Sequence, residues 1–272
     1  MRGPNILTVG APFFPNDGTP SYVRELVSGL PSMEVGTPEA AAERARRQLD
    51  SGADGVKIFA GAIVGGEVGV VPMPRDAAAA VVAEAHRQGK PAFAHPSNQD
   101  GLEVAIESGV DVLAHTTPDD GEPWTRELVG RLTSRGMALT PTLSLWRIES
   151  EAADVPEDEI RQTVALAQQQ LGAFAEAGGD ILFGTDVGYV QAADLSDEYR
   201  LMQGAGLSFE LILASLTTAP AARFGFAAKG RIAAGMDADL TVLAADPADD
   251  IEALADVVLT IRAGHVIFGP GR

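Results

Sequence analysis

The sequence contains no cysteine. Disulfides and thiolate metal ligands are therefore excluded, and any metal would have to be held by histidine, carboxylate or a modified lysine. Basic residues are scarce: 20 Lys and Arg stand against 38 Asp and Glu, a formal net charge of −18. Such a field repels a phosphate backbone, so nucleic acid is not an expected partner. No apolar run is long enough to span a bilayer, so no membrane partner is expected. The first residues do not show the basic-then-apolar pattern of a secretory signal, and a cytoplasmic location is the expectation. There is no internal repeat and no low-complexity stretch. Histidine is also rare. The four are His86, His95, His115 and His265, and no two are spaced His-x-His.

What remains is a 272-residue chain, 46% apolar, large enough for one sizeable α/β domain plus a small appendage. One pattern recurs: a helix, a glycine, then a short apolar strand. Thr37-Pro38 reads as an N-cap and first helical residue, with the helix running to about Ser51 and Gly52 ending it. Further helices are expected over residues 74–88, 100–108, 124–135 and 158–177. Strands are expected over residues 5–10, 55–59, 91–95, 110–115, 137–142 and 181–186. Strands alternating with helices imply a parallel sheet, and nearly continuous apolarity implies cover on both faces. From Lys229 the texture changes to short β segments: Gly230-Arg231-Ile232, then 238–243, 257–261 and 266–268, with a turn at Gly264-His265. The expected division is residues 1–228 and a small β unit over 229–272.

Four polar residues stand at or near the C-terminal ends of apolar strands: Lys57, His95, His115 and Asp186. In a (β/α) barrel those ends form the catalytic face. Taken singly, each has an ordinary structural explanation, such as a hydrogen-bonded core histidine or a Gly-Thr-Asp turn. Lys57 is harder to explain away, because Gly-Val-Lys-Ile-Phe places it among apolar neighbours and a buried ammonium is costly unless paired or modified. Together, at equivalent ends of four strands, they point to one site. His86, on a helix, and His265, in the terminal β unit, do not belong to it. Trp146, Arg147 and Tyr189 follow the last two barrel strands, where a loop role is the simpler reading.

The stretches Asp54-Gly55-Val56-Lys57-Ile58, Ala94-His95, Gly109 to His115, Thr140-Pro141-Thr142 and Leu182-Phe183-Gly184-Thr185-Asp186 resemble the amidohydrolase superfamily. The nearest branch is the imidazolonepropionase-like and prolidase-like one. Thr217-Thr218-Ala219-Pro220-Ala221 and the run from Gly230 through Asp237-Ala238-Asp239-Leu240 match as well, the latter being the most specific. The resemblance implies a partial TIM (β/α) barrel, strands three to eight, with a small C-terminal β-sandwich segment. It implies a metal-dependent hydrolase of amide-like or other C–N bonds in small molecules or dipeptides, with a divalent cofactor, foremost zinc. By that resemblance a carboxylated Lys57, His95, His115 and Asp186 are metal ligands. Asp186 is also the catalytic proton shuttle between an activated water and the leaving nitrogen.

The pattern also breaks. The family opens on a His-x-His that holds the first metal, and none occurs here. By count from Lys57, residues 5–10 correspond to strand three, so strands one and two are expected to be missing. The first-metal site is then incomplete. This leaves an inactive or split barrel fragment, acting as an interaction module or completed by a partner chain, as the alternative. Unpaired edges and bared apolar surface lead to the expectation of a homo-oligomer.

Overall fold

The computed structural model describes residues 3–26, 29, 32–65, 68–191 and 194–270. The chain divides into two compact units, Leu7–Thr140 and Met1–Ile6 with Pro141–Arg272.

The unit Leu7–Thr140 contains helices α1 (Ser21–Leu26), α2 (Pro38–Asp50), α3 (Arg75–Arg87), α4 (Gln99–Ser108) and α5 (Arg126–Ser134). Its strands are β1 (Val56–Phe59), β2 (Gly61–Gly65), β3 (Gly69–Pro72), β4 (Ala92–His95), β5 (Val112–Ala114) and β6 (Ala138–Thr140). The helix boundaries follow from local chemistry. Thr37 caps α2 by accepting from Ala40 N, with Pro38 as the first helical residue. Asn98 and Thr125 do the same for α4 and α5, and Gly109 closes α4 in the left-handed conformation.

Strands β1, β4, β5 and β6 pair in parallel in that order, with Ile58 beside Ala94, Ala94 beside Leu113 and Leu113 beside Leu139. Those four, with Val56 and Ala92, form one face of the sheet and are fully sealed from solvent. Helix α3 packs on β1 and β4. Burying each of the larger aliphatic chains contributes about 1.5–3 kcal/mol.

Two features differ from expectation. Residues 7–10 form no ladder. The Thr8 amide donates to the Asp54 carboxylate at 3.0 Å, and Gln48 Nε2 donates to Val9 O at 2.5 Å. Gly10 (φ 69) and Pro12 then interrupt the run, and pairing begins at Phe13, whose amide donates to Lys57 O at 2.8 Å. The second difference is an antiparallel hairpin, β2 against β3, inserted after β1.

The other unit holds α6 (Leu143–Ala152), α7 (Glu157–Glu176), β7 (Asp180–Ile181), α8 (Ser196–Gly204), α9 (Phe209–Leu216), α10 (Thr218–Arg223), β8 (Leu240–Leu243), β9 (Val257–Arg262) and β10 (His265–Phe268). Strand β7 covers only the start of the expected 181–186. Helices α6, α8, α9 and α10 were not anticipated; the N-cap of α6, Thr142, makes no side-chain cap bond. A distant residue supplies the cap. The buried Glu198 carboxylate accepts from Leu143 N (2.8 Å), Ser144 N (2.7 Å) and Ser144 Oγ (2.7 Å).

Strands β8, β9 and β10 form an antiparallel sheet in the order β10–β9–β8. Residues 230–232, expected as β, are not a strand. Gly230 sits at φ 86 with Thr217 O where a Cβ would be, so it serves as a turn. Lys229 ties that turn to Asp237 at 2.8 Å and to Asp239, which in turn accepts from Ala263 N at 2.7 Å. Among the described residues, no helix is long and apolar enough to cross a membrane.

Candidate functional site

Parallel register decides which side chains share a face. Lys57 is beside Phe93 and Phe59 beside His95, so Lys57, Phe59, Phe93 and His95 lie together, opposite the sealed aliphatic face. Phe93 is in turn beside Val112, which places Ala114 on this face and would send an extended His115 to the other. The backbone prevents that: His115 has φ 76. This left-handed turn, uncommon for a non-glycine residue, ends the strand and swings the ring edge-on to His95, at 4.7 Å between centroids and 68° between planes. The His115 amide still donates to Thr140 O at 2.8 Å, so the turn is anchored to the neighbouring strand.

The rest of the cluster is aromatic. The His95 ring stacks on Phe59 at 4.6 Å, and Phe14 leans on Phe59 at 4.4 Å. Lys57 Nζ lies 5.3 Å from the Phe59 ring centre, within cation–π range. His115 is only 3% exposed, and Thr116 and Thr117 after it are buried as well. The loop after β4 is equally constrained. Ser97, at φ 61, donates its hydroxyl to Gly61 O at 2.8 Å. Gly101 lies so close to Pro96 O that no Cβ could be accommodated there.

Electrostatics keep both imidazoles neutral. Burial pushes His95 down to about 3, with the Lys57 charge adding to the effect. Burial pushes His115 well below its ordinary value too, followed by His95 and then Lys57. Neutral imidazole is the form that ligates a metal, and two such rings side by side at strand ends fit an ion's first two donors. Among the described residues, no group of three or more His, Cys, Asp or Glu is placed to hold an ion. A three-donor set here therefore requires Lys57 to act as a third ligand, which an ammonium cannot do and a carboxylated lysine can.

Three of the four residues picked from the sequence thus stand together in the unit Leu7–Thr140. Asp186 belongs to the other unit, in the segment after β7, at φ 60. Its carbonyl accepts from Tyr189 N (3.2 Å) and Val190 N (3.0 Å), closing a tight turn. Tyr189 donates its hydroxyl to Glu149 on α6 at 2.7 Å. Burial pushes the Glu149 carboxyl up, the Tyr189 hydroxyl draws it down, and the charge of Asp186 adds to the rise. Trp146 is core, 4% exposed, and Arg147 is held by Asp197 and Glu151. Both lie on α6 rather than in a loop. His86 pairs with Asp111 at 2.9 Å, and His265 is exposed on β10. Sequence reading passed over Phe59 and Glu149. Phe59 had a signal, being two residues beyond Lys57 and so on its face; Glu149 had none, because its helix was not recognised.

The family model described as the amidohydrolase family matches residues 20–267. An uncharacterized protein of Mycobacterium tuberculosis is 28% identical over 180 residues, covering 63% of this chain and 46% of its own length. The chain therefore spans about half the length of the curated relatives it matches. Among solved structures, a Xaa-Pro dipeptidase with bound methionine in the active site superposes with a TM-score of 0.81 at 23% identity, over 99% of this chain and 69% of that one. A candidate prolidase from Bifidobacterium longum gives 0.79 at 28% identity, over 100% and 68%. The A. niger ochratoxinase gives 0.80 at 21%, over 99% and 67%. At 23% and 21% identity the first and third likenesses speak to fold alone. The extent of the family match, nearly the whole chain, shows that this α/β protein with a parallel sheet belongs to the amidohydrolase family.

Proposed function

We propose that the chain is a metal-dependent hydrolase of amide-like or other C–N bonds in dipeptides or small molecules. The observation that carries this reading is the edge-on pair of neutral imidazoles, His95 and His115, beside Lys57 at the C-terminal ends of parallel strands. The family match and the likeness to a structure named as a candidate prolidase support it.

In this reading His95, His115 and a carboxylated Lys57 hold a divalent ion, foremost zinc, which supplies water activation and an electrophilic centre for the substrate carbonyl. Carboxylation would join Lys57 Nζ to the carbon of carbon dioxide with loss of two protons, turning a cation into an anion. Phe59 walls one side of His95 and limits its rotation. By the resemblance of the motif Gly184-Thr185-Asp186 to the family's, Asp186 is the residue that would accept a proton on its carboxylate and return it to the leaving nitrogen.

The same reading takes the fold to be a partial TIM barrel, strands three to eight. It divides the chain at residues 228 and 229, with the last 44 residues as part of a β-sandwich. It also places the protein in the cytoplasm as a homo-oligomer acting on a small molecule, without nucleic acid or membrane partners.

A second reading, a barrel fragment that serves as an interaction module or is completed by a partner chain, is favoured by the histidine count at the site. Two imidazoles and one lysine are fewer protein donors than a pair of tightly held ions needs.

The test is metal analysis after gel filtration in zinc buffer, intact-mass measurement of Lys57 carboxylation, and an assay over dipeptides and cyclic amides. We expect one ion per chain and no more, weakly held, carboxylation that rises and falls with it, and slow turnover. His95→Ala and His115→Ala should each abolish metal retention. Two tightly bound ions with ordinary turnover would show that ligands outside this set complete the site. No ion under any loading would overturn the metal reading.

A further inference from the structure

We infer that the Tyr189–Glu149 hydrogen bond is a clasp that sets the turn presenting Asp186, and that both are positioning residues for it. The inference rests on the role proposed for Asp186, but the clasp itself is a matter of geometry. Asp186 is a non-glycine residue at φ 60, and such a conformation persists only when its surroundings over-determine it. The turn's backbone bonds are local. Tyr189 N and Val190 N donate to Asp186 O, Gly188 N donates to Val190 O at 3.1 Å, and Val187 bridges Val190. These bonds fix the turn's shape without fixing its direction. Its outer residues are exposed, Val187 by 62% and Tyr189 by 47%, so packing does little to orient it.

Among the described residues, Val190 and Tyr189 reach inward and give the turn a direction. Val190 is 5% exposed and seats the end of the turn. The Tyr189 hydroxyl spans 40 residues of sequence to reach Glu149 Oε1 at 2.7 Å. Glu149 is a firm post. Its helix, α6, is held at the N-terminus by Glu198 and through Arg147 by Asp197 on α8. Glu149 is partly buried and feels the charge of Asp186, so the two carboxyl groups are electrostatic neighbours within this unit. A Tyr hydroxyl donating to Glu149 engages that carboxylate and leaves Asp186 as the one on the turn. Neither side chain was singled out by the sequence motif, which ends at Asp186.

Hydrogen exchange of the Tyr189 and Val190 amides tests the clasp on the whole chain. Tyr189→Phe and Glu149→Ala should each raise exchange there by about ten-fold, the lower end for a bond to a charged acceptor. The double variant should show no further rise, because each change removes the same bond. Glu149→Gln keeps an acceptor oxygen and should restore most of the protection. Exchange in β9, in the same unit, should not move. On whatever turnover the unaltered chain shows, Tyr189→Phe should lower kcat and leave KM unchanged. Exchange that is unchanged in Tyr189→Phe, or additive in the double variant, overturns the clasp. A loosened turn with full kcat overturns its positioning role. A chain without turnover counts against the hydrolase reading alone, and the exchange result then still decides the clasp.

Discussion

Glu198 offers a sharp test of how this fold handles a buried charge. Its carboxyl is 1% exposed and accepts from two backbone amides and one hydroxyl at the start of α6. Burial raises its pKa from 4.5 to about 7, against the opposing effect of those three donors, and the neighbouring Asp197 adds to the rise. An acid whose folded pKa is raised binds its proton more tightly folded than unfolded. Between 4.5 and 7 the native state therefore holds more protons, and stability falls as pH rises through that window. At roughly 1.4 kcal/mol per tenfold change in proton affinity, the full effect is about 3 kcal/mol. The perturbation is Glu198→Gln, which cannot titrate and leaves an amide N–H facing a backbone donor. Urea denaturation of both proteins from pH 4 to 8 gives the difference in unfolding free energy. We expect wild type minus variant to fall by about 3 kcal/mol across the window and to level off above it. A flat difference would refute the burial argument. A rising one would show that the three donors outweigh burial and that the carboxyl is ionised with a lowered pKa.

Gly101→Ala should destabilise the unit Leu7–Thr140 by about 2 kcal/mol or more in thermal unfolding, although alanine is the better helix former, because its Cβ would collide with Pro96 O. A neutral or stabilising result would mean the loop after His95 yields freely. Leu113→Ala, at a position with no exposure in the middle of the parallel sheet, should cost about 2–5 kcal/mol. A loss below about 1 kcal/mol, read by denaturant midpoint, would contradict the close packing argued for that face. Light scattering of the purified chain should show a homo-oligomer, and a stable monomer at high concentration would remove that proposal.

Much of the helix–strand alternation was legible because its punctuation is local. Thr37-Pro38, Gly52 and Gly109 announce their boundaries within a few residues. Lys57 and His95 were legible as neighbours for the same reason: both lie on regular strands, where alternation assigns a face. Part of what escaped depends on distant partners. Helix α6 borrows its cap from Glu198, 54 residues beyond Ser144. Residues 7–10 look like a strand, but the Thr8 amide and the Val9 carbonyl are taken by side chains of Asp54 and Gln48. The hairpin β2–β3 had a local signal, valines and isoleucine around glycines, that was not used. The direction of the His115 ring could not be read, since period-two alternation puts it on the wrong face and only the positive φ corrects it.

The left-handed residues in the segments after strands have an evolutionary consequence. His115, Thr142 and Asp186 each adopt a conformation that glycine would take without steric cost, and for the β-branched Thr142 the misfit is greatest. For a chain selected only to stay folded, substitution to glycine or asparagine at these places would be neutral or beneficial, and drift would favour it. Stabilised variants recovered from random libraries should therefore include replacements at His115, and on the proposed reading these would be the ones that lose metal. On the proposed reading, resistance to unfolding and metal binding pull on the His115 backbone angle in opposite directions.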